Sequence, residues 1–476
     1  MAGPNGALPL STESKPPRES TSRKVWQLAW PTIISNLLFT TVGFAHIRIA
    51  AELGTSAVAA VTTGHRVFFL IQAVMMGLSV AATATISRAW GAEDVKRAEQ
   101  AAWTSLQVSI ILAAALALPT VIIPTSIAGL FGLDQATTLS AAEFIFWLGV
   151  FSISSAVNMI LSTALRATGD VITPLKFLMF STALNILFGF NLALGHGPTP
   201  AMGVSGISLG GGSAGLTVTI AFLMFWWRGR FNLGPTRRAR LDWTGVRQLF
   251  SIGAPAMIEQ GIIQLSFLVF FGIVARYGTN AYAAYGIGIT IVSFPIVIGF
   301  GFGIAAATLV GQQLGAGRTD LAIAAGWRSL RLALIAMVAG SIVLVVFADE
   351  LARFMIDDPE VIHFTKIFLY MIALAQPMMA CEMALAGALR GAGDTRFPLF
   401  STFCGLMAGR LIPAWIFASL GFSVYWIFAV MIFDYAIKAV LLIHRFRSHK
   451  WLDVKVGSDL PVPAAAAVMD SDKKNT

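Results

Sequence analysis

Apolar residues run along this chain in long blocks, interrupted by short clusters of charge, glycine and proline. Blocks of roughly 20 residues are what an α-helix needs to cross a bilayer. Twelve are predicted, over 26–51, 57–84, 98–124, 140–165, 172–195, 202–228, 246–276, 281–310, 321–348, 361–388, 396–419 and 423–444. The expected fold class is all-α, a polytopic membrane protein with twelve transmembrane helices. Several blocks exceed the minimum, so tilt or extension beyond the lipid is expected.

The polar interruptions alternate in sign. On one side fall Arg23, Lys24, Arg88, Lys96, Arg97, Arg166, six arginines between 228 and 247, then Arg318, Arg328, Arg331, Arg390, Arg396, Arg445, Arg447 and Lys450. The other side offers little beyond Arg276 and Arg353, and holds the acidic stretch Asp349, Glu350, Asp357, Asp358, Glu360. Cytoplasmic loops carry the excess of Lys and Arg, so both termini are expected in the cytoplasm.

The blocks also repeat. GLSVAATATISRAWGAEDVKRAEQAAWTSL starts at Gly77 and GFGIAAATLVGQQLGAGRTDLAIAAGWRSL at Gly301, an offset of 301 − 77 = 224. The same offset pairs Pro31 with Pro255, Gly54 with Gly278, Gly91 with Gly315, Trp103 with Trp327, and ALRATGDVITPL with ALRGAGDTRFPL. Six spans separate equivalent points. An even number makes the two halves parallel, related by an axis along the membrane normal, which is a transporter architecture. The expected organisation is a disordered cytoplasmic tail over 1–24, a six-helix lobe over 25–228, a cytoplasmic linker over 229–245, a second pseudo-symmetric six-helix lobe over 246–445, and a tail over 446–476. The first 24 residues lack the apolar core of a signal peptide. In LRxxGD, Gly169 or Gly393 can supply a left-handed residue ending a helix, and the proline that follows starts the next, so the motif reads as a structural turn.

Composition narrows the picture. The chain is 56% apolar and 12% charged, against about 25% charged in a soluble domain. The net charge of +9 is spread over span-flanking loops and forms no single stripe, which argues against nucleic acid as a partner. Cys381 and Cys404 lie in apolar blocks and the six histidines show no metal-ligand spacing, so no disulfide, resident metal or cofactor is expected. No phosphate-loop motif is present, which points to an ion gradient as energy source. GVSGISLGGGSAG at the start of span six reads as close helix packing.

Charged side chains at bilayer depth cost at least about 2.5–3.5 kcal/mol, and each is a functional candidate. Glu259 lies mid-span, four residues after Pro255, and can hold a proton or a small cation; the alternative is a paired structural glutamate. Glu382, beyond the kink-prone Pro377, aligns with Asn158 (382 − 158 = 224), and both fit either an inter-lobe cavity or helix packing. His46 could carry a proton or be a satisfied structural histidine. Arg48 can pair with Glu52, and Asp434 with Lys438, each at i,i+4. Arg410 has no partner evident in sequence.

LAWPTIISNLL, VGFAHIRIAAELGTSAVAAV, LRATGD, GAPAMIEQ and GFGIAAATLVGQQLGAG, in this order and duplicated, resemble the multidrug and toxic compound extrusion (MATE) transporters of the wider multidrug/oligosaccharidyl-lipid/polysaccharide flippase superfamily. The resemblance covers about residues 24 to 452. It implies a monomeric antiporter, not an enzyme, that exports amphipathic and often cationic compounds in exchange for protons or sodium. Its partners would be a small organic substrate and the bilayer of the plasma membrane, the inner membrane of a bacterium. Many relatives carry glutamate in the EQ pair after the span-seven proline, which matches Glu259 for the coupling ion, proton or sodium; Gln260 beside it, and Asn158 by the repeat, are the candidates for the substrate cavity. Many carry an aspartate in span one where this chain has His46, so an N-lobe sodium site is in doubt. Two rival readings are a flippase for a lipid-linked sugar or lipid, and an intramembrane transferase. Few central cations and the lack of a catalytic cluster at a membrane face favour export.

Overall fold

The computed structural model describes residues 18–196, 200–236, 241–454 and 456. All regular structure among them is helical. The N-terminal half comprises α1 (Arg18–Leu53), α2 (Thr55–Gly91), α3 (Val95–Ile122), the short α4 (Pro124–Gly129), α5 (Gln135–Val150), α6 (Ser152–Thr168), α7 (Ile172–Leu194) and α8 (Gly203–Trp227). The C-terminal half comprises α9 (Trp243–Ala275), α10 (Thr279–Gly315), α11 (Thr319–Val346), the short α12 (Ala348–Met355), α13 (Pro359–Gly391), α14 (Arg396–Cys404), a π-helical turn (Gly405–Leu411), α15 (Ile412–Ser419) and α16 (Val424–Arg447).

Eleven helices are long and apolar enough to span a membrane, and α5 with α6 forms a twelfth span bent by 48°. The twelve expected spans are therefore present as two six-helix bundles. Two short helices fall in connections where none was expected. They too are repeat-related, since 124 + 224 = 348.

Two expectations about the ends differ from the structure. α1 already begins at Arg18, inside the expected 1–24 tail. Residues 1–17 lie outside the described residues, as do 237–240 of the expected linker and all beyond 456 of the expected C-terminal tail. The described part of that tail is packed. Trp451 is fully buried, stacks on Phe446 with centroids 4.8 Å apart, and donates Nε1–H to the Phe446 carbonyl at 2.9 Å. A polar-looking segment is held by one large aromatic and two valines, Val454 and Val456.

The duplication survives in three dimensions down to single contacts. A Cβ on Gly64 would meet the Phe144 ring, and one on Gly288 would meet Phe368, where both partners obey the offset of 224. Where α2 and α6 cross, Ser79 and Thr163 hydroxyls bond at 2.7 Å. At the equivalent crossing of α10 and α13, Gly303 and Gly387 let the backbones touch. The connection before the last helix is shorter in the C-terminal half, 420–423 against 195–202, so the offset there drops to 220: Trp226 sits on Trp103 as Phe446 sits on Trp327. The expected close packing at the start of span six is present, with a Cβ on Gly206 or Gly210 falling 2.5 Å from α7 backbone.

The halves meet at one end of the molecule, the face bearing the basic loops. Gly77 packs against Gly253 and Met257 as Gly301 packs against Ala29 and Ile33. Gly91 lies against Gln312 as Gly315 lies against Arg88, and any side chain there would overlap backbone. Arg88 Nη2 donates to the Ala392 carbonyl at 2.6 Å, while its repeat mate Gln312 donates Nε2–H to the Ala167 carbonyl at 2.8 Å. Each half thus reaches into the LRxxGD turn of the other. Both turns form as expected, with Gly169 at φ 98° and Gly393 at φ 87°. The segment after α16 adds a strap: the Val454 carbonyl accepts from Arg88 Nη2 at 3.2 Å, and Val456 is buried in the N-terminal half's core. Toward the opposite face, Gly43, Gly261, Gly272 and Gly286 meet nothing within 4 Å.

Candidate functional site

Within the C-terminal half, Glu259, Glu382 and Asp434 are buried beside the buried Arg410 and Lys438 and the partly buried Arg390. Glu259 sits midway along α9 and is 2% exposed. Its Oε1 accepts from Arg390 Nη2 at 2.7 Å and from the Thr402 hydroxyl at 2.8 Å. Arg390 belongs to the LRGAGD turn at the end of α13, and its long side chain runs back into the bundle. Glu259 is therefore ion-paired in this state, and the arginine that pairs it stands two residues from Ala392, the acceptor of Arg88.

The second cluster lies between α13, the π-helical turn and α16. Lys438 Nζ stands 3.3 Å from Glu382 Oε1 and 3.2 Å from Asp434 Oδ1. Asp434 also pairs with Arg410, whose guanidinium lies over Phe267, Phe270 and Tyr435. The i,i+4 pairing of Asp434 with Lys438 is present, but Lys438 is shared with Glu382, and Arg410 gains the partner that sequence did not reveal. Local sequence explains how. Gly405 and Gly409 let the π-helical turn press on α16, where a Cβ on either would fall 2.5 Å from an Asp434 atom. A π-turn re-aims the side chains within it, and such turns occur frequently at functional sites.

The N-terminal half holds a different cluster. His46 Nε2 lies 2.7 Å from Asn185 Oδ1, and His46 Nδ1 lies 3.3 Å from His65 Nε2. The two rings stack at 5.5 Å, with the His65 ring edge-on to Phe144. Gly64 makes room for that phenylalanine. His65 is the residue that sequence reasoning left aside. The signal was available: Leu53 and Gly54 turn α1 sharply into α2, so residues 8 before and 11 after Gly54 return to one level.

The remaining expectations are placed as follows. Asn158 donates Nδ2–H to the Gly215 carbonyl of α8 at 3.1 Å, inside its own half. Gln260 is half-buried and makes no hydrogen bond among the described residues. Pro31 and Pro255 lie within continuous α1 and α9. Arg48 pairs with Glu52 at 3.3 Å on the surface. No group of three or more His, Cys, Asp or Glu suited to a metal occurs among the described residues. Glu259 and Thr402 are hard oxygen donors, the type that sodium prefers, although Arg390 stands against the carboxylate.

The comparisons agree with this architecture. The MatE family model matches residues 31–191 and 255–416, two segments that begin 224 residues apart. Over 437 residues the chain is 28% identical to the "Probable multidrug resistance protein NorM" of Thermotoga maritima, covering 90% of this chain and 93% of that protein. Its fold is similar to that of a MOP superfamily transporter from Pyrococcus furiosus (TM-score 0.85, 18% identity, 91% of this chain and 97% of that one). It is also similar to the Vibrio cholerae MATE transporter VcmN in the bent form (TM-score 0.83, 21% identity, 91% and 99% covered).

Proposed function

The chain belongs to the MatE family, and from that premise we propose that it is a secondary antiporter exporting amphipathic, often cationic compounds in exchange for protons or sodium. The basic face is the cytoplasmic one, as the distribution of Lys and Arg supports. On this reading the lobes are closed on the cytoplasmic side, where Gly77, Gly91, Gly301 and Gly315 lie against the other half, and the contact there fits an outward-open state. Substrate would enter and leave between them as they rock.

The observation that carries the coupling is a short physical chain. Glu259 bonds Arg390, Arg390 ends the helix that turns through Ala392, and Ala392 accepts Arg88 of the other lobe. A proton or sodium arriving at Glu259 from outside competes with Arg390 for the carboxylate. Releasing Arg390 loosens the turn that latches the lobes, so ion binding favours the opposite state. Coupling requires such a difference in affinity between states. Glu382 acts beside it through Lys438, and His46 supplies polar contact in the N-lobe without a carboxylate.

Glu259→Gln keeps the side chain's shape and removes the titration. In inverted vesicles, with a proton or a sodium gradient imposed in turn, this variant should lose gradient-driven uptake of a fluorescent cation while remaining inserted at normal levels. Normal uptake by the variant would remove Glu259 from the mechanism.

A further inference from the structure

A cavity of about 430 Å³ opens on the basic face, away from Glu259, and the transport reading does not use it. It lies between the third turn of α9, the first turn of α14, the end of α16 and the strap, and is lined by Ser251, Asp394, Arg396, Phe397, Phe400 and Arg445, among others. Arg396 is the first residue of α14 and Arg445 the third from the end of α16, so the cavity sits where membrane spans emerge into the headgroup layer.

Its charge is not needed to build the turn. Arg445 holds Asp394 through Nε and Nη2, both at 2.8 Å, and lies over the Phe397 ring. Arg396 is exposed and makes no salt bridge among the described residues. Arg247, also exposed and without a salt bridge among the described residues, stands one turn before Ser251 on the same face of α9. The corresponding turn of the N-terminal half forms with the same glycine and with Asp170 capping the Thr173 N–H, yet Ile172 replaces Arg396 and Phe225 replaces Arg445. The arginines therefore serve something other than the turn. Below them on the bilayer side, Phe250, Phe400 and Phe403 are exposed, and the last two are three residues apart on α14.

We propose that this cavity binds the phosphate headgroup of an acidic phospholipid. Arg396 and Arg247 would hold the phosphate at the rim, the Ser251 hydroxyl would add a hydrogen bond, and the acyl chains would lie along Phe400 and Phe403. The exposed aromatics favour a lipid over a soluble phosphate, because they offer a contact only to the chains. A cavity of this volume suits a headgroup, and basic pockets between spans at this interface are the chemistry that acidic headgroups recognise.

The test uses the full-length protein in detergent, with bound lipid read by native mass spectrometry. Phosphatidylglycerol should bind and phosphatidylcholine should not. Arg396→Ala should weaken phosphatidylglycerol about five- to tenfold, the worth of one such cation, with Arg396→Lys intermediate. Lys176→Ala, at the N-lobe position equivalent to Phe400, should leave binding unchanged. Equal binding of both lipids, or unchanged binding by Arg396→Ala, overturns the site. Glycerol 3-phosphate competing as well as the lipid at equal concentration overturns the assignment to lipid. The lipid comparisons on the unaltered protein stand even where a variant fails to fold.

Discussion

The two lobes share a backbone plan and differ in their interiors. At positions related by the repeat, Glu259 faces Ser35, Arg410 faces Ile186, Asp434 faces Ala214 and Lys438 faces Val218. The C-terminal lobe has turned these four positions into charge, held in two clusters: Glu259 with Arg390, and Glu382 and Asp434 with Lys438 and Arg410. Away from the seam, where Arg88 is buried, the N-terminal lobe holds a cluster of two imidazoles and an amide. Duplication thus conserved what the lobes do together, which is to close on each other, and released what each does alone. Symmetry resides in the glycines, and chemistry in the asymmetry.

If the seam is symmetric, damage to either side should be equal. Gly91→Val and Gly315→Val each place a side chain within about 2 Å of backbone in the other lobe, with Cβ distances of 1.9 and 2.0 Å. Both variants should fold as separate lobes yet lose efflux to background, to the same extent, in a whole-cell dye-export assay. Unequal losses would break the comparison at the seam.

If the interiors are asymmetric, damage to them should be unequal. Asp434→Asn removes the carboxylate shared by Arg410 and Lys438 and should cost about 3–5 kcal/mol, as breaking a buried pair does. His46→Ala loses a neutral hydrogen bond to Asn185 and should cost about 1–3 kcal/mol. Thermal unfolding of the purified variants measures both, and gradient-driven uptake should persist in His46→Ala. Loss of coupling there equal to that of Glu259→Gln would move the ion chemistry into both lobes.

The smallest effect sharpens the comparison at the far face. α12 carries Asp349, which pairs with Lys366 at 2.8 Å and with Arg353. Its counterpart α4 has no charge. Hydrogen bonds donated by Lys366 and Arg353 hold the Asp349 carboxyl below its ordinary range. A lowered carboxylate pKa stabilises above the unfolded value, about 4, and that contribution fades as pH falls through the folded one. Asp349→Asn should therefore lower the melting temperature slightly at neutral pH, the pair being solvent-exposed, and the difference should vanish in acid.

Much of the fold was legible because its signals are local: apolar blocks as long as a bilayer is thick, glycines where helices cross, one offset repeated. The sites were less legible because their contacts join distant helices. Arg390 reaches Glu259 across 131 residues, and no spacing announces such a pair. Arg410 looked unpartnered because a π-turn, not an α-turn, aims it at Asp434. His65 was hidden by reading α1 and α2 one at a time. The strap was taken for a tail because Trp451, Val454 and Val456 form too short an apolar pattern to rise above the polar residues around them.

That strap bears on how the protein is made. Each lobe draws most of its core from one half of the chain. Arg88 and Val454, by contrast, are separated by 366 positions. Contacts of such high sequence separation form late, and domains emerging from the ribosome fold in order, the first before the last. The seam is therefore stapled only after the second lobe has been synthesised and the strap behind it has emerged. A ribosome stalled before Trp451 would leave the seam without this staple.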